Sequence, residues 1–359
     1  MRSPWRAGLG AVLAALLAGC GVQPLTAPAR AAAALQVLDG SYRDGRWVAA
    51  TDFWQNAQAF GALLDGYQRT HSAAYAAMIP QVYAANSQHG TPGDFTSTNI
   101  DDEGWWGLDW VRAWDLTGDA AYLQTSRAVF ANMAGTWDST CGGGVWWKAS
   151  GVYKNAITNE LFLLLAVELH DRTPGDRGPA SYLGWAQREA GWFLGSGMID
   201  SFGLVNDGLT AGCRNNAGST FTYNQGVILA GLAGLSRDTG DRTDLQAAER
   251  IADAATRALV DSHGVLRDPC EVSGSCGIDG EEFKGIFARY LWTLYSVDHQ
   301  ARYRQFLQHS LDALWGNGGA SGFGLAWDGP GAGADAETDT AAAAALGATA
   351  LPGPERARR

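Results

Sequence analysis

A spacing of about sixty residues recurs through this 359-residue chain. Turns that begin with glycine and continue with apolar residues recur at intervals of 59, 61 and 60 residues, starting at Gly144, Gly203, Gly264 and Gly324. A second set of turns lies near the middle of these intervals, as LTGD at 116–119, RTPGD at 172–176 and DTGD at 238–241. Repeats of this size are typical of closed or stacked arrays of one supersecondary unit. Each unit here contains two turns and two intervening segments.

The intervening segments have helical periodicity. In residues 155–169 (NAITNELFLLLAVEL) the second half is apolar on nearly every face, as in a helix buried on all sides. Tyr182, Trp185, Glu189 and Trp192 instead mark a one-sided stripe. Alternating fully buried and half-buried helices predict hairpins of an inner and an outer helix. We therefore predict an all-α fold, an (α/α)6 barrel of six helical hairpins over residues 36–350, with solenoid stacking as the alternative.

The first nineteen residues have the features of a secretory signal: two arginines, a short apolar run and a small-residue cleavage site. The site directly precedes Cys20, and this ending resembles a bacterial lipoprotein signal, with an ordinary signal peptide as the alternative. We expect residues 1–19 to be removed, Cys20 to be lipidated, residues 20–35 to form a flexible tether and residues 351–359 to be a disordered tail. The protein would then be exported and anchored at the cell surface, the outer membrane or the periplasm.

The charge of the chain restricts its partners. The formal net charge is −11, and the single cationic cluster is at the end of the tail. Proteins that bind nucleic acids present basic surfaces, so we exclude that class. A neutral ligand fits better, and we expect a monomer that meets a membrane only through the lipid anchor.

Four cysteines remain after Cys20. An even number in an exported chain indicates disulfides. Cys270 and Cys276 flank a short Gly/Ser-rich loop, which leaves Cys141 to pair with Cys213. No CxxC pair or histidine cluster supports a zinc site, and we expect neither a metal nor a cofactor.

The segment 99–119 (NIDDEGWWGLDWVRAWDLTGD) contains the residues best suited to catalysis. Hydrolysis of a glycosidic bond needs two carboxyl groups, and Asp101 and Asp102 are adjacent. Sugars also stack their apolar faces on aromatic rings. Three of the four tryptophans are spaced by four residues and predict one buried helix face, so Trp105, which lies off that stripe, is the better candidate for a sugar platform.

Adjacency of the two aspartates restricts the mechanism. Neighbouring Cα atoms are about 3.8 Å apart, which favours the short carboxyl separation of retaining enzymes over the wider gap of inverting ones. Two carboxyls this close do not ionise independently, so one should keep its proton to higher pH. The alternative is that Asp101 and Asp102 only cap a helix and complement its dipole.

Other residues are candidates for binding a sugar. Asn155 and Asn159 are four residues apart and share one face of an inner helix, where they would contact hydroxyl groups or bond to each other. Polar residues open two further inner helices and should face the end of the barrel: Tyr223, Asn224, Gln225 and Lys284. Trp54, Trp146 and Trp147 are candidate aromatic walls, with burial in the core as the alternative.

At this point the sequence resembles glycoside hydrolase family 76, the α-1,6-mannanases and their fungal relatives. The resemblance depends on IDDEGWWGLDWVRAWDLTGD, CGGGVWWK, YKNAITNELFLLLA, FTYNQGVILAGLAGL and FKGIFARYL, which occur in order between residues 36 and 330. It implies an (α/α)6 barrel, a retaining mechanism, Asp101 as nucleophile and Asp102 as general acid/base. The implied substrate is α-mannan or a mannose-containing oligosaccharide.

Several functions remain open. A retaining endo-α-1,6-mannanase is expected first, with a transglycosidase on mannose-containing glycans and a non-catalytic glycan-binding lipoprotein as alternatives. The intact aspartate pair disfavours the last. A lyase or unsaturated-uronyl hydrolase on the same fold would act on anionic sugars and need basic groove residues, which this acidic chain does not supply near its motifs.

Overall fold

The segments between the turns fold as helices that pair around a common axis. The computed structural model describes residues 25–49, 51–274, 276–329 and 333–351. In chain order its helices are α1 (Ala27–Asp39), α2 (Phe53–Thr70), α3 (Ala73–Asn86), α4 (Ile100–Thr117), α5 (Ala120–Gly135), α6 (Ala156–Asp171), α7 (Tyr182–Gly195), α8 (Thr222–Thr239), α9 (Arg242–Ala258), α10 (Pro269–Ser273), α11 (Gly277–Gly280), α12 (Phe283–Asp298), α13 (Ala301–Asn317) and α14 (Ala336–Thr349). The described residues contain isolated β-bridges but no strand.

Six helices form a closed inner ring. In the order α2, α4, α6, α8, α12 and α14 each helix packs against the next, and α14 packs against α2. Their side chains are buried over most of their length, as the all-round apolar pattern of residues 155–169 predicts. The helices α3, α5, α7, α9 and α13 pack outside the ring. The predicted (α/α)6 barrel is confirmed.

Tight reversals between inner and outer helices follow from the TGD turns. At the end of α4, Gly118 adopts a left-handed φ of 75° and ends the helix. The next residue, Asp119, caps α5 by accepting a hydrogen bond from the Ala121 amide. Gly240 and Asp241 repeat this arrangement between α8 and α9. One glycine and one aspartate therefore fix the hairpin at the end opposite to that where the inner helices begin.

The helix α1 corrects the expectation of a flexible tether. Residues 27–35 are helical, with Pro28 in the first turn, where proline is favoured. Ala31, Ala34, Leu35 and Leu38 are buried, and the helix packs against α14. The barrel therefore begins near residue 27 rather than 36. Residues 1–19, Cys20 with the rest of the tether to residue 24, and the tail from residue 352 lie outside the described residues.

The direction of α1 also departs from the expected hairpin pattern. Arg30 near its start forms an ion pair with Asp312 and lies over Trp315, both late in α13. Asp39 at its end bonds with Tyr75, early in α3. Helix α1 thus runs parallel to α14, and residues 40–49 return along the outside of the barrel. Five hairpins and this one split pair replace the six hairpins that the repeat predicts.

Both predicted disulfides form, Cys141–Cys213 and Cys270–Cys276. They lie in the loops beside the starts of the inner helices. Among the described residues, no helix has the length and hydropathy needed to cross a membrane.

Candidate active site

The inner helices all begin at one end of the barrel, which we call the mouth. Asp101 and Asp102 lie in the first turn of α4, after the N-cap residue Asn99. Both side chains are half-buried. The positive end of the helix dipole favours negative charge at this position. The first turn of α4 therefore presents two consecutive carboxyl groups to the mouth.

A short backbone pairing places an aromatic ring and a cation beside this pair. The Ile100 amide donates to the Trp147 carbonyl at 2.8 Å, and Asn99 forms a β-bridge with Lys148. The Trp147 side chain hydrogen-bonds to Asp101. The Lys148 ammonium lies 4.4 Å from the centre of the Trp147 ring and interacts electrostatically with Asp102. The structure therefore places Trp147, a candidate aromatic wall, beside the two aspartates.

Asp102 has its own set of polar neighbours. The Asn99 side-chain amide donates to its carboxylate at 3.3 Å, and Ser97 forms a second side-chain hydrogen bond. Burial, the largest cause, and the nearby charge of Asp279 raise the pKa of Asp102 to about 6, although the two hydrogen bonds and Lys148 oppose the rise. Asp102 is thus held in position and able to carry a proton in mildly acidic solution.

Burial and the adjacent charge of Asp102 raise the pKa of Asp101 well above its ordinary value. Hydrogen bonds from backbone amides and from Trp147 favour the ionised form but do not cancel these effects. Once one carboxyl of the pair is ionised, the other keeps its proton more tightly. The pair can therefore hold one proton and one negative charge together, which acid-assisted attack on an acetal requires.

Aromatic side chains line the side of the mouth opposite Trp147. Tyr223 stacks on Phe283 with ring centres 3.9 Å apart, and Trp54 lies 6.5 Å from the same ring. The Trp54 indole nitrogen donates to Asp279 at 3.1 Å, and Gln55 donates to the same oxygen at 2.8 Å. Tyr223 and the candidate aromatic wall Trp54 thus lie at the mouth, and Asp279 in α11 holds Trp54 in place.

Trp105 lies below the mouth rather than in it. Its side chain is 4% exposed, and its ring stacks under Trp54 at 6.0 Å. A cavity of about 1220 Å³ begins on its far side and extends toward the opposite end of the barrel, where Asp65 is held between Arg112 and Arg289. Trp105 therefore forms the floor beneath Trp54, and of these two rings it is Trp54, rather than Trp105 as expected, that is exposed at the mouth.

Trp146 points away from the aspartates, although Trp147 next to it points toward them. Neighbouring residues of an extended segment face opposite sides, so only one of the two reaches the pair. The Trp146 side chain bonds to Asp138, and its ring packs 4.7 Å from the Lys154 ammonium. The expectation that both tryptophans line the site is corrected to Trp147 alone.

Three other predicted substrate-binding residues have their polar groups occupied within the protein. The Asn159 side chain accepts from the Val145 amide and donates to the carbonyls of Val145 and Asn155. Gln225 bonds both backbone groups of Val205 in the same way. Lys284 is 1% exposed and forms an ion pair with Glu271 at 2.8 Å. These side chains fasten loops to inner helices, and we withdraw them as sugar ligands.

Asn155 and Asn224 are buried and have side-chain polar atoms without hydrogen-bond partners. Asn155 stands at the N-cap position of α6 without a side-chain capping bond; it is 5% exposed, and its side-chain oxygen has no hydrogen-bond partner. Asn224 is fully buried, and neither of its side-chain polar atoms has a partner. Asn155 adjoins the mouth through its bridge to Gly208, whereas Asn224 is enclosed in the wall of the ring.

Sequence reasoning missed four residues of the mouth. Lys148 directly follows Trp146 and Trp147 in the sequence, and this adjacency could have identified it. Phe283 directly precedes Lys284, and Lys284 was taken as the candidate because it is polar. Asp207, which accepts a hydrogen bond from the Tyr153 hydroxyl, comes from a loop, and Asp279 comes from the short helix α11; neither segment has a recognisable motif. Their charges reach Tyr223 from two sides and, after burial, raise the pKa of its hydroxyl.

A closed ring of helix pairs with two consecutive carboxyl groups among aromatic walls is the architecture of a glycosidase. The sequence profile of glycosyl hydrolase family 76 matches residues 30–352. The chain belongs to this family, as the resemblance predicted.

Sequence relatives agree with this assignment. A protein of Eremothecium gossypii named mannan endo-1,6-alpha-mannosidase DCW1 is 30% identical over 261 residues. The aligned region covers 67% of this chain and 57% of that protein. The chain thus spans little more than half the length of this relative.

Solved structures share the fold. The Lin0763 protein of Listeria innocua has a TM-score of 0.79 and 25% identity, covering 91% of this chain and 97% of its own. An α-1,6-mannanase, GH76A of Salegentibacter sp. HEL1_6, also has a TM-score of 0.79, with 22% identity over 90% of this chain and 99% of its own. That structure is an inactive variant with two consecutive aspartates changed to asparagine, in complex with α-1,6-mannotriose.

Proposed function

We propose that this protein is a retaining endo-α-1,6-mannanase that cleaves α-mannan through a glycosyl-enzyme intermediate at Asp101. The observation that supports this proposal best is the pair Asp101–Asp102, placed by the start of α4 in an aromatic-lined mouth with raised pKa values. The name of the Eremothecium relative and the mannotriose bound to the Salegentibacter variant favour the same substrate.

The two aspartates have different roles in the proposed reaction. The reaction starts from the state of the coupled pair in which Asp101 is ionised and Asp102 holds the shared proton. Asp102 gives that proton to the glycosidic oxygen as that bond breaks, and the Asp101 carboxylate attacks the anomeric carbon to form a glycosyl ester. Water then attacks the same carbon from the opposite side of that ester, and Asp102 takes the proton from the water. Two inversions leave the α-anomer. The Trp147 hydrogen bond orients Asp101, and Asn99 orients Asp102.

A neutral sugar suits the charge of the mouth. Asp101, Asp102, Asp207 and Asp279 surround it, and Lys148 is the cation that interacts with the pair. A uronic acid would add a further negative charge to this group. The mouth thus favours mannan over the anionic substrates of the lyase alternative.

The first experiment is incubation with linear α-1,6-mannan followed by chromatography of the products. Short oligosaccharides are expected from endo-cleavage, whereas mannose alone would indicate exo-cleavage and elongated chains would indicate glycosyl transfer. Asp101→Asn and Asp102→Asn should each lower kcat by at least about a thousandfold, a cost of roughly 4 kcal/mol in the barrier. Asp244→Asn on the outer helix α9 serves as a control and should retain full activity. Normal turnover by either variant of the pair would refute the assignment.

A second experiment separates the two roles. With Asp101→Gly and an activated aryl mannoside, azide should replace the missing nucleophile and give the β-mannosyl azide. With Asp102→Gly, azide should attack the glycosyl-enzyme and give the α-mannosyl azide. If Asp101→Gly gave the α-mannosyl azide and Asp102→Gly the β-mannosyl azide, the roles of nucleophile and general acid/base would be exchanged between the two residues. Proton NMR of the first product of the unaltered protein should show the α-anomer, and a β-anomer would contradict retention.

Export and anchoring through Cys20 belong to the same proposal. An enzyme that degrades a polymer outside the cell must be exported, and an anchor would keep the products near the cell that made it. The test is Cys20→Ser followed by cell fractionation: the unaltered protein should be found with membranes and the variant in the soluble fraction. Soluble recovery of both would refute lipidation.

A further inference from the structure

A cavity of about 1220 Å³ lies inside the barrel at the end opposite the mouth. It extends from Trp105, the floor beneath Trp54, to Asp115 near the end of α4 and to the loop of residues 172–177. Trp105 and Asp115 are ten helical positions apart, so the cavity is roughly 15 Å deep. Small-molecule sites usually enclose about 300–1,000 Å³. The cavity therefore has room for a hexose or a disaccharide.

Three polar side chains of the cavity wall have atoms without partners in the part of the chain that the structure describes. Gln58 on α2 is 7% exposed, and its amide forms no hydrogen bond there. Asp109 on α4 is 8% exposed; one of its oxygens accepts from Arg112 at 3.3 Å, and the other has no partner. The hydroxyl of Tyr290 on α12 is also unpaired. Buried polar groups normally have partners, so these side chains indicate a polar ligand in the cavity.

Gly61 keeps the space in front of Asp109 open. It lies inside α2, where glycine is less favourable than alanine, and it lines the cavity. A Cβ atom at this position would lie 3.2 Å from both carboxylate oxygens of Asp109 and 3.5 Å from the Arg112 guanidinium. The missing side chain therefore leaves the free oxygen of Asp109 accessible from the cavity.

Aromatic rings form a second part of the wall. Trp105 and Trp114 lie on α4, and Tyr290 and Trp292 lie on α12. Trp114 and Trp292 are half-buried, so part of each side chain remains accessible. A pyranose stacks its C–H face on such rings and bonds through its hydroxyls to amides and carboxylates. The wall thus offers both kinds of contact that a sugar needs.

The charges of the wall disfavour an ionic ligand. Arg112 and Arg289 both form ion pairs with the fully buried Asp65, so neither guanidinium is free for an anion. Carboxylates outnumber guanidinium groups among the described residues that line the cavity, which disfavours anions further. A cation that approaches Asp109 meets the guanidinium of Arg112 beside it. A neutral ligand therefore fits the cavity best.

We propose that this cavity is a second sugar-binding site, which binds a neutral hexose or disaccharide at the end of the barrel opposite the mouth. Gln58, Asp109 and Tyr290 bond to the hydroxyl groups of the sugar. Trp114 and Trp292 contact its apolar face. The site has no role in bond cleavage and holds the sugar intact.

Trp105 separates this site from the mouth. It lines the cavity, and its ring also stacks with Trp54 at 6.0 Å. Asp101 and Asp102 are not among the described residues of the cavity wall. The inference therefore does not depend on the proposed mannanase activity, and a sugar in the cavity can be distinguished from one at the mouth.

The test is NMR titration of ¹⁵N-labelled full-length protein with D-mannose and, separately, with D-glucose, observed at the indole N–H groups. Trp→Phe variants assign the signals of Trp114 and Trp292 in the cavity and of Trp54 and Trp147 at the mouth. We expect saturable shifts of Trp114 and Trp292 with a dissociation constant of about 2 mM for at least one hexose, the value that about twelve non-hydrogen atoms give at ordinary ligand efficiency. D-Glucuronate should bind at least about fivefold more weakly because of its charge.

Two variants locate the binding. Gln58→Leu removes an amide that has no partner among the described residues, and it should weaken the binding seen at Trp114 and Trp292 at least about tenfold. Ala230→Phe fills the cavity from α8 and should abolish this binding. Gln246→Leu removes an exposed amide from α9 and should bind as the unaltered protein does. Thermal unfolding of each variant shows that it folds, and either cavity variant suffices if the other does not.

Absence of saturable shifts at Trp114 and Trp292 up to ~50 mM of both hexoses, more than tenfold above the expected constant, would overturn the proposal. Shifts confined to Trp54 and Trp147 would also overturn it, since they place the sugar at the mouth alone, and they would leave the proposed function intact. Undiminished binding by a folded Gln58→Leu or Ala230→Phe variant would overturn it as well. Binding in the cavity without any cleavage of mannan would support this site and refute the proposed function.

Discussion

Asp279 accepts a hydrogen bond from the Trp54 indole at 3.1 Å and also raises the pKa of Asp102 by its charge. One residue of the short helix α11 thus affects both the aromatic wall and the proposed general acid. Asp279→Asn keeps an acceptor for Trp54 but removes the charge, so the pKa of Asp102 should fall. A general acid works while protonated, so the basic limb of the kcat/KM profile should move to lower pH by about half a unit.

The companion variant Trp54→Phe separates the two effects. It keeps a ring and the charge of Asp279 but loses the hydrogen bond. We expect KM for mannan oligosaccharides to rise several-fold, since the wall is no longer held in place, while the basic limb stays where it was. If Asp279→Asn leaves the pH profile unchanged, the charge of Asp279 does not affect the pKa of Asp102.

Lys154 is a buried cation that holds a loop together. Its ammonium donates to Asp138 and to the carbonyls of Thr140, Gly143 and Gly144. Lys154→Met leaves these acceptors without a donor and should lower the free energy of unfolding by roughly 2 to 4 kcal/mol, measured by urea denaturation. Lys148→Met removes a more exposed lysine nearby and should cost less than about 1 kcal/mol. Equal losses would contradict the structural role of Lys154.

Glu103 makes stability depend on pH. It is fully buried and accepts hydrogen bonds from Asn132 and from the Ser97 amide, and burial raises its pKa to about 8. A carboxyl with a raised pKa contributes fully below its unfolded value near 4.5, and this contribution is lost as the pH rises to about 8.

The variant Glu103→Gln should therefore lose less stability across that window than the unaltered protein, by roughly 2 to 4 kcal/mol. Urea denaturation at several pH values between these limits measures it. Parallel pH dependence of the two proteins would mean that Glu103 is already ionised in the folded state.

The two disulfides should differ in their effect on stability. Cys141 and Cys213 are 72 residues apart, whereas Cys270 and Cys276 are 6 apart. Loop-closure entropy then predicts a loss of about 4 kcal/mol for Cys141→Ser/Cys213→Ser and about 2 kcal/mol for Cys270→Ser/Cys276→Ser. Thermal unfolding of both double variants checks the order. A larger loss from the short loop would point to contacts within that loop instead of chain entropy.

Much of the fold was predictable because the repeat and the all-round apolar helices depend on local sequence. The ring and the helix start that contains Asp101 and Asp102 follow from those patterns, and the disulfides follow from the even number of cysteines and the short loop between Cys270 and Cys276. Helix α1 was missed because two of its four buried positions are alanines, so the stripe at 31, 34, 35 and 38 has little hydrophobic contrast with the alanines around it. Its proline and small residues indicated a tether.

The lining of the mouth was less predictable. Polar residues at the start of an inner helix were expected to face the opening, but Gln225 and Lys284 point sideways and bind loops instead. A helix inside a ring has neighbours on every side, so sequence position along it does not fix which way a side chain points. Asp207, from a loop, and Asp279, from the short helix α11, reach the mouth through long-range packing of their segments.

The direction of α1 has a consequence for how the barrel would stand on a surface. Because α1 starts beside the end of α13, Ala27 lies on the same side of the barrel as the mouth. Seven residue steps separate it from Cys20 and span at most about 25 Å. If Cys20 is lipidated, the opening would face the bilayer across a gap no deeper than that. Such a gap would admit a thin polysaccharide strand lying along the membrane and exclude heavily branched or particulate glycan by size.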